Sequence, residues 1–210
     1  MHERPPYDLG SSRPDGRSGD AGRTRAGRTL HCAAEVVESA GGLDAAAAPL
    51  HRLGRALRAS AAGDALRGAW LGHALHPMAT DFPLGAWMSA SLLDLIGGPD
   101  AREAARRLVA FGLVMAAPTV ASGVAEIGAA PPRARRVGVV HAAVNLTATA
   151  LYAASFVART RGAHRRGAAL GIAGGLCATA GGYFGGHLSL ENAVGVDRTH
   201  ADASSSDAGR

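Results

Sequence analysis

Four histidines, two carboxylates and an amide are spaced so that they could share one metal or redox site. His73 and His76 lie close together in Gly72-His73-Ala74-Leu75-His76-Pro77, with Asp81 soon after. Glu126 falls mid-chain, His141 and Asn145 are one helical turn apart, and His187 comes last. Imidazoles converging at one end of a helix bundle can hold haem iron through its axial positions, and the set for haem b is His73, His76, His141 and His187. The alternative is a zinc or iron ion on His76, His141 and His187, supported by Asp81, Glu126 and Asn145. A third account has these side chains capping helix ends and bonding to one another and to interfacial water. The His73/His76 spacing alone identifies no metal site, because many unrelated loops share it.

The elements that must position these residues are written in the charge pattern. Stretches 82–98, 108–125, 137–158 and 167–186 contain one charged residue, Asp94, out of the 22 basic and 17 acidic residues of the 210-residue chain. A spanning helix requires that depletion. At 1.5 Å per residue they run roughly 25 to 33 Å, which brackets the ~30 Å hydrocarbon core of a bilayer. A soluble four-helix bundle would need a polar stripe on each helix, and three of the four stretches have no charge to build one. The expected fold is therefore all-α, an integral membrane four-helix bundle with a disordered N-terminal tail. Every basic residue is Arg and the formal charge is +5. Because the charge lies in loops and tails, it does not point to nucleic acid.

Residues 1–42, rich in Arg, Gly and Ser, read as the disordered tail and supply no signal-peptide apolar run. The four-span domain covers 43–198, and 199–210 is a loose C-terminal tail. Between Leu43 and Leu71, leucines alternate with arginines as in an amphipathic helix, at a lipid surface or as a solvated linker. Asp81 is placed as N-cap of the first span with Pro83 in its first turn, and Pro118 marks a kink in the second. Arg159 to Arg166 reads as a basic loop. Asp94 reads as a residue snorkelling from the end of its span, and Trp70 and Trp87 as interfacial anchors. The fourth span carries Gly167, Gly171 and Gly175 at intervals of four, then the pairs Gly181/Gly182 and Gly185/Gly186 at the same interval. That spacing suits tight helix packing, room for a flat cofactor, or a homo-oligomer contact. Cys32 and Cys177 are too differently placed to form a structural disulfide.

An even number of spans puts both termini on one side, and His73, His76, Asp81, Glu126, His141, Asn145 and His187 all fall at that face. His141 and Asn145 lie inside the third span, where polar groups are expensive and need partners; His76 and His187 are the ones available. The count of Arg in alternate loops is nearly tied, so the cytoplasmic side is assigned to the termini because exporting a long polar segment without a signal would be unusual.

Three ordered segments resemble the bacterial membrane family called domain of unknown function 2231. They are Trp70 to Gly85 around Gly72-His73-Ala74-Leu75-His76-Pro77, Arg135 to Asn145 with its His141, and Gly181-Gly182-Tyr183-Phe184-Gly185-Gly186-His187-Leu188 with Gly195-Val196-Asp197. The resemblance covers about residues 43 to 198 and implies four spans in the bacterial cytoplasmic (inner) membrane. It also implies an occasional fusion to a Rieske iron–sulfur domain, hence a Rieske-type or other electron-transfer protein as partner. Ala74 stands where the family more often has Pro. The expectation is a haem- or metal-binding electron-transfer module whose first partner is the lipid bilayer. A non-catalytic structural or partner-binding subunit is the alternative, with a small transporter behind it.

Overall fold

A computed structural model describes residues 24–195. Seven α-helices follow in order: α1 Arg25–Ser39, α2 Asp44–Ala59, α3 Gly63–Arg67, α4 Leu75–Ile96, α5 Arg102–Ile127, α6 Pro132–Thr160 and α7 His164–Leu190. There is no strand among the described residues. Short turns join α4 to α5 and α6 to α7, so each pair forms an antiparallel hairpin, and these two pairs make the most extensive contacts. α5 also packs on α6, and α4 on α7, which closes a four-helix ring with α4 and α6 facing across its diagonal.

Three helices, Pro99–Ile127, Pro132–Thr160 and His164–Leu190, are long and apolar enough to cross a membrane. They contain the expected spans 108–125, 137–158 and 167–186. The fourth expected span, 82–98, lies in α4, which is 22 residues long but is not among the three. His76, Thr80, Asp81, Ser89, Ser91 and Asp94 dilute its hydropathy. Its outer face is nevertheless lipid-like: Met88, Leu92, Leu95 and Ile96 recur at helical spacing and are exposed, Ile96 to 76%. Val114, Leu146 and Leu176 do the same on α5, α6 and α7. Large apolar side chains turned outward on all four helices, with polar ones turned in, suit a hydrocarbon surround.

Several local expectations are corrected. α4 starts at Leu75, so Asp81 is an exposed mid-helix residue and not a cap, and Pro83 is a buried interior proline. Pro83 has no N–H to give the Ala79 carbonyl one turn back. The Thr119 hydroxyl fills that place, 3.0 Å from Ala79 O and 2.8 Å from Met115 O. Thr119→Val should therefore cost about 1–3 kcal/mol by orphaning a buried carbonyl. In a Pro83→Ala background the same change should cost much less; equal losses in both backgrounds, measured by unfolding in mixed micelles, would refute the link.

The loose tail expected over 1–42 is corrected where the structure describes it, because Arg25–Ser39 is helical; residues 1–23 lie outside the described residues. Thr24 caps α1 by accepting from the Gly27 N–H at 3.2 Å, and Ala34 is wholly buried where α1 lies on α6. The segment 199–210 also lies outside the described residues. The amphipathic α2 docks across the end of α5. Gly54 and Gly128 allow backbone contact there, since a Cβ on Gly54 would come within 2.3 Å of Val124 O. His51 and Arg58 reach the α5 carbonyls of Ile127 (3.2 Å) and Ala125 (3.4 Å), which also accept from the Ala130 and Gly128 N–H groups at the end of the helix.

Candidate functional site

Two of the expected histidines meet. His76, in the first turn of α4, and His141, on α6, stand with ring centroids 6.3 Å apart and planes at 82°. Each is held the same way. His76 Nδ1 lies 2.9 Å from the Thr119 carbonyl on α5, and His141 Nδ1 lies 2.9 Å from the Gly181 carbonyl on α7. A carbonyl can only accept, so both Nδ1 atoms carry the proton and both Nε2 atoms keep the lone pair. Metal-binding histidines are commonly prepared this way, with the far nitrogen fixed by a backbone carbonyl. Each ring also needs a glycine beside it. A Cβ on Gly123 would sit 2.6 Å from the His76 ring, and one on Gly185 3.0 Å from the His141 ring. Asn145 folds back on the same turn, its amide nitrogen 2.9 Å from the His141 carbonyl and 3.3 Å from Nδ1.

The pair tops a column of such pairs. Trp87 on α4 stacks on Tyr152 of α6 at 4.1 Å and 12°, and below them Asp94 of α4 meets Arg159 of α6. His76/His141, Trp87/Tyr152 and Asp94/Arg159 are each separated by 65 residues. Eleven and then seven residues return a side chain to one helix face. The supporting helices repeat as well: Gly112 lies under Trp87 and Gly174 under Tyr152, just as Thr119 and Gly181 supply the carbonyls. Equivalent positions of two helical hairpins thus meet pairwise, which is the mark of an approximate two-fold axis along the bundle. The repeat was readable as histidine, aromatic and charge at equal intervals, and sequence reasoning missed it.

Two corrections follow from the column. Trp87 is no interfacial anchor: it is 5% exposed, with its indole N–H donated to Val109 O at 3.3 Å. Trp70 is exposed, as expected. Asp94 does not snorkel, and Arg159 does not belong to the loop. The Arg159 side chain is 1% exposed and grips the Asp94 carboxylate with both terminal nitrogens, one at 2.8 Å. Its Nε is 3.1 Å from Ser155 Oγ, which in turn donates to Gly167 O at 2.6 Å. The glycine row of α7 is filled by these α6 side chains: Arg159 over Gly167, Tyr152 over Gly174 and Asn145 over Gly181. Close packing accounts for that face.

The remaining candidates stand apart from the pair. His187 faces α1, its Nε2 2.7 Å from the Glu38 carboxylate, with Asn192 Nδ2 2.8 Å from the same oxygen and the His31 ring 5.9 Å away. His73 is exposed, and with Glu126 it lines a separate cavity; Asp81 is exposed on the outer side of α4. No group of three or more His, Cys, Asp or Glu able to hold a metal occurs among the described residues. The trio His76, His141 and His187 is accordingly not assembled.

Glu38 makes the attachment of α1 sensitive to acid. Burial raises its pKa, but the hydrogen bonds from Asn192 and His187, with the charges of His187 and Arg133, outweigh that and leave it below the ordinary carboxylate value of 4.5. A carboxylate with a depressed folded-state pKa stabilises fully above its unfolded pKa and loses that contribution as pH falls through the folded value. Hydrogen exchange should therefore find α1 protected above pH 4.5 and opening below it. In Glu38→Gln, protection should be lower and flat across this range; an unchanged profile would rule the carboxylate out.

A helical bundle with an apolar exterior, an interior column of polar and aromatic pairs, and three helices fit to cross a bilayer defines a helical membrane protein. The chain belongs to the family described as "Predicted membrane protein (DUF2231)", which matches residues 72–198. No curated protein and no solved structure matches it.

Proposed function

We propose that this protein is a redox module of the membrane that binds one metal centre between His76 and His141, with haem-type iron as the favoured group. The observation that carries the reading is the pairing itself: two imidazoles from the two halves, each with Nδ1 committed to a main-chain carbonyl. His76 and His141 would hold the group through their Nε2 atoms, the nitrogens that the carbonyl bonds leave free, from rings whose centroids are 6.3 Å apart. A structural zinc site needs four protein ligands and a catalytic one three, whereas haem iron takes only one or two from the protein. When bound, such a group supplies one-electron chemistry. The protein's own contribution would be to orient the two Nε2 atoms, with Gly123 and Gly185 giving the rings room. A separate Rieske-type or other electron-transfer protein, the bacterial inner membrane and cytoplasmic termini complete the proposal.

A specific observation favours a second reading. The two imidazole–carbonyl bonds also staple α4 to α5 and α6 to α7, which is a sufficient structural role for a partner-binding subunit. Full-length protein purified from membranes supplied with haem separates the two. The first reading expects a Soret band lost in His76→Ala and in His141→Ala and retained in His187→Ala and His73→Ala. Colourless, metal-free wild-type protein, or a band indifferent to His141, sinks it in favour of the second.

A further inference from the structure

The structure contains a second candidate site, built from residues that the histidine pair does not use. Between α2, α3, the 72–74 turn, the end of α5 and residues 192–195 lies a cavity of about 530 Å³. This is within the size range of small-ligand sites. Arg58, Arg67 and Glu126 supply its charges. Within the lining two guanidiniums face one carboxylate, while Asp64 outside it pairs with Arg67. Arg67 gives one terminal nitrogen to Asp64, but its Nε is buried without a hydrogen-bond partner. The rest of the Arg67 side chain is 34% exposed, so part of it is within reach of a ligand in the cavity. Arg58 has only a long 3.4 Å contact to Ala125 O, so its remaining donors are available to a ligand in the cavity.

We propose that this cavity binds a phosphate diester whose second arm carries hydrogen-bond donors, the chemistry of a glycerol or ethanolamine phospholipid headgroup. Arg58 and Arg67 take the phosphate, since guanidinium forks match phosphate oxygens. Glu126, an acceptor in the same wall, takes the hydroxyl or ammonium donors of the other arm. A choline headgroup offers it none. The cavity lies where the spans end, beside exposed Trp70 and within a turn or two of exposed Met78 and Phe82 on α4, so its rim is at the level of lipid headgroups.

The test uses the full-length protein in mixed micelles containing phosphatidylglycerol, phosphatidylethanolamine or phosphatidylcholine at equal mole fraction, read by tryptophan fluorescence and native mass spectrometry. The glycerol and ethanolamine lipids should bind at least roughly tenfold more tightly than the choline lipid, and Arg67→Gln should weaken both by about tenfold. Glu126→Leu, which removes the acceptor, should retain phosphate binding while abolishing the preference over choline. Equal binding of all three headgroups to the wild type, or an Arg67→Gln variant that binds like the wild type, overturns the proposal. Free phosphoethanolamine is the soluble arm. If it binds as tightly as the lipid, the same chemistry serves a dissolved ligand; if only the lipid binds, the ligand comes from the bilayer.

Discussion

Asp94→Ala or Arg159→Ala should each destabilise the bundle by about 3–5 kcal/mol, because each strands one charge of a buried pair. The side chains are 9% and 1% exposed, so water cannot substitute for the missing partner. Charge itself is not what the site requires. Replacing both residues with apolar ones of similar volume should recover most of the loss, since the desolvation cost of the pair disappears with it. Arg159→Lys should fall between, because an ammonium cannot reproduce the two-pronged grip or the bond to Ser155. Equilibrium unfolding in detergent measures all four variants. If the double apolar variant is as unstable as the single ones, the loss comes from packing and not from unpaired charge.

Trp87→Ala should cost about 3–5 kcal/mol, as for other large aromatic residues removed from a core. The indole fills the diagonal between α4 and α6, stacks on Tyr152 at 4.1 Å, and lies against Gly112. The converse substitution tests the same contact from the other side. A Cβ on Gly112 would come within 2.2 Å of the indole nitrogen, so Gly112→Val should be nearly as damaging by overpacking. Combined with Trp87→Ala, however, the valine finds the space the indole left, and the double variant should be more stable than the sum of the single losses predicts. Strict additivity would show that the two positions do not share one packing site.

The bundle itself was legible because charge depletion is a property of long segments, and the four depleted stretches fall on α4, α5, α6 and α7, the first overrunning its helix by two residues. The site was legible only in part. His141 and Asn145, four residues apart, had to share a face, and His76 was named as a partner. His187 was grouped with them because it ends at the same face, yet an end shared is not a side shared. From Gly181, which faces His141, six residues turn the helix through roughly 240°, carrying His187 round to α1. Its partner Glu38 sat in a segment whose polar composition read as tail, though Arg25–Ser39 needs only one small buried stripe at Ala34 to lie on α6. Arg159 was lost by one position. The apolar stretch ended at residue 158, and the next arginine was assigned to the loop it adjoins instead of to the carboxylate on the same side of the bundle.

The column of equivalent pairs has one position where equivalence is broken, with an acid in the first hairpin and a base in the second. During synthesis the first hairpin leaves the ribosome with Asp94, two residues from the end of α4, before the partner it has in the folded bundle exists. Arg159 lies 65 residues further along, roughly 3 to 13 seconds at ordinary elongation rates. For that interval the first hairpin lacks the guanidinium that Asp94 pairs with in the folded bundle. Because two copies of it would set carboxylate against carboxylate, the nascent half is steered to wait for its own second hairpin instead of pairing with a neighbour's first.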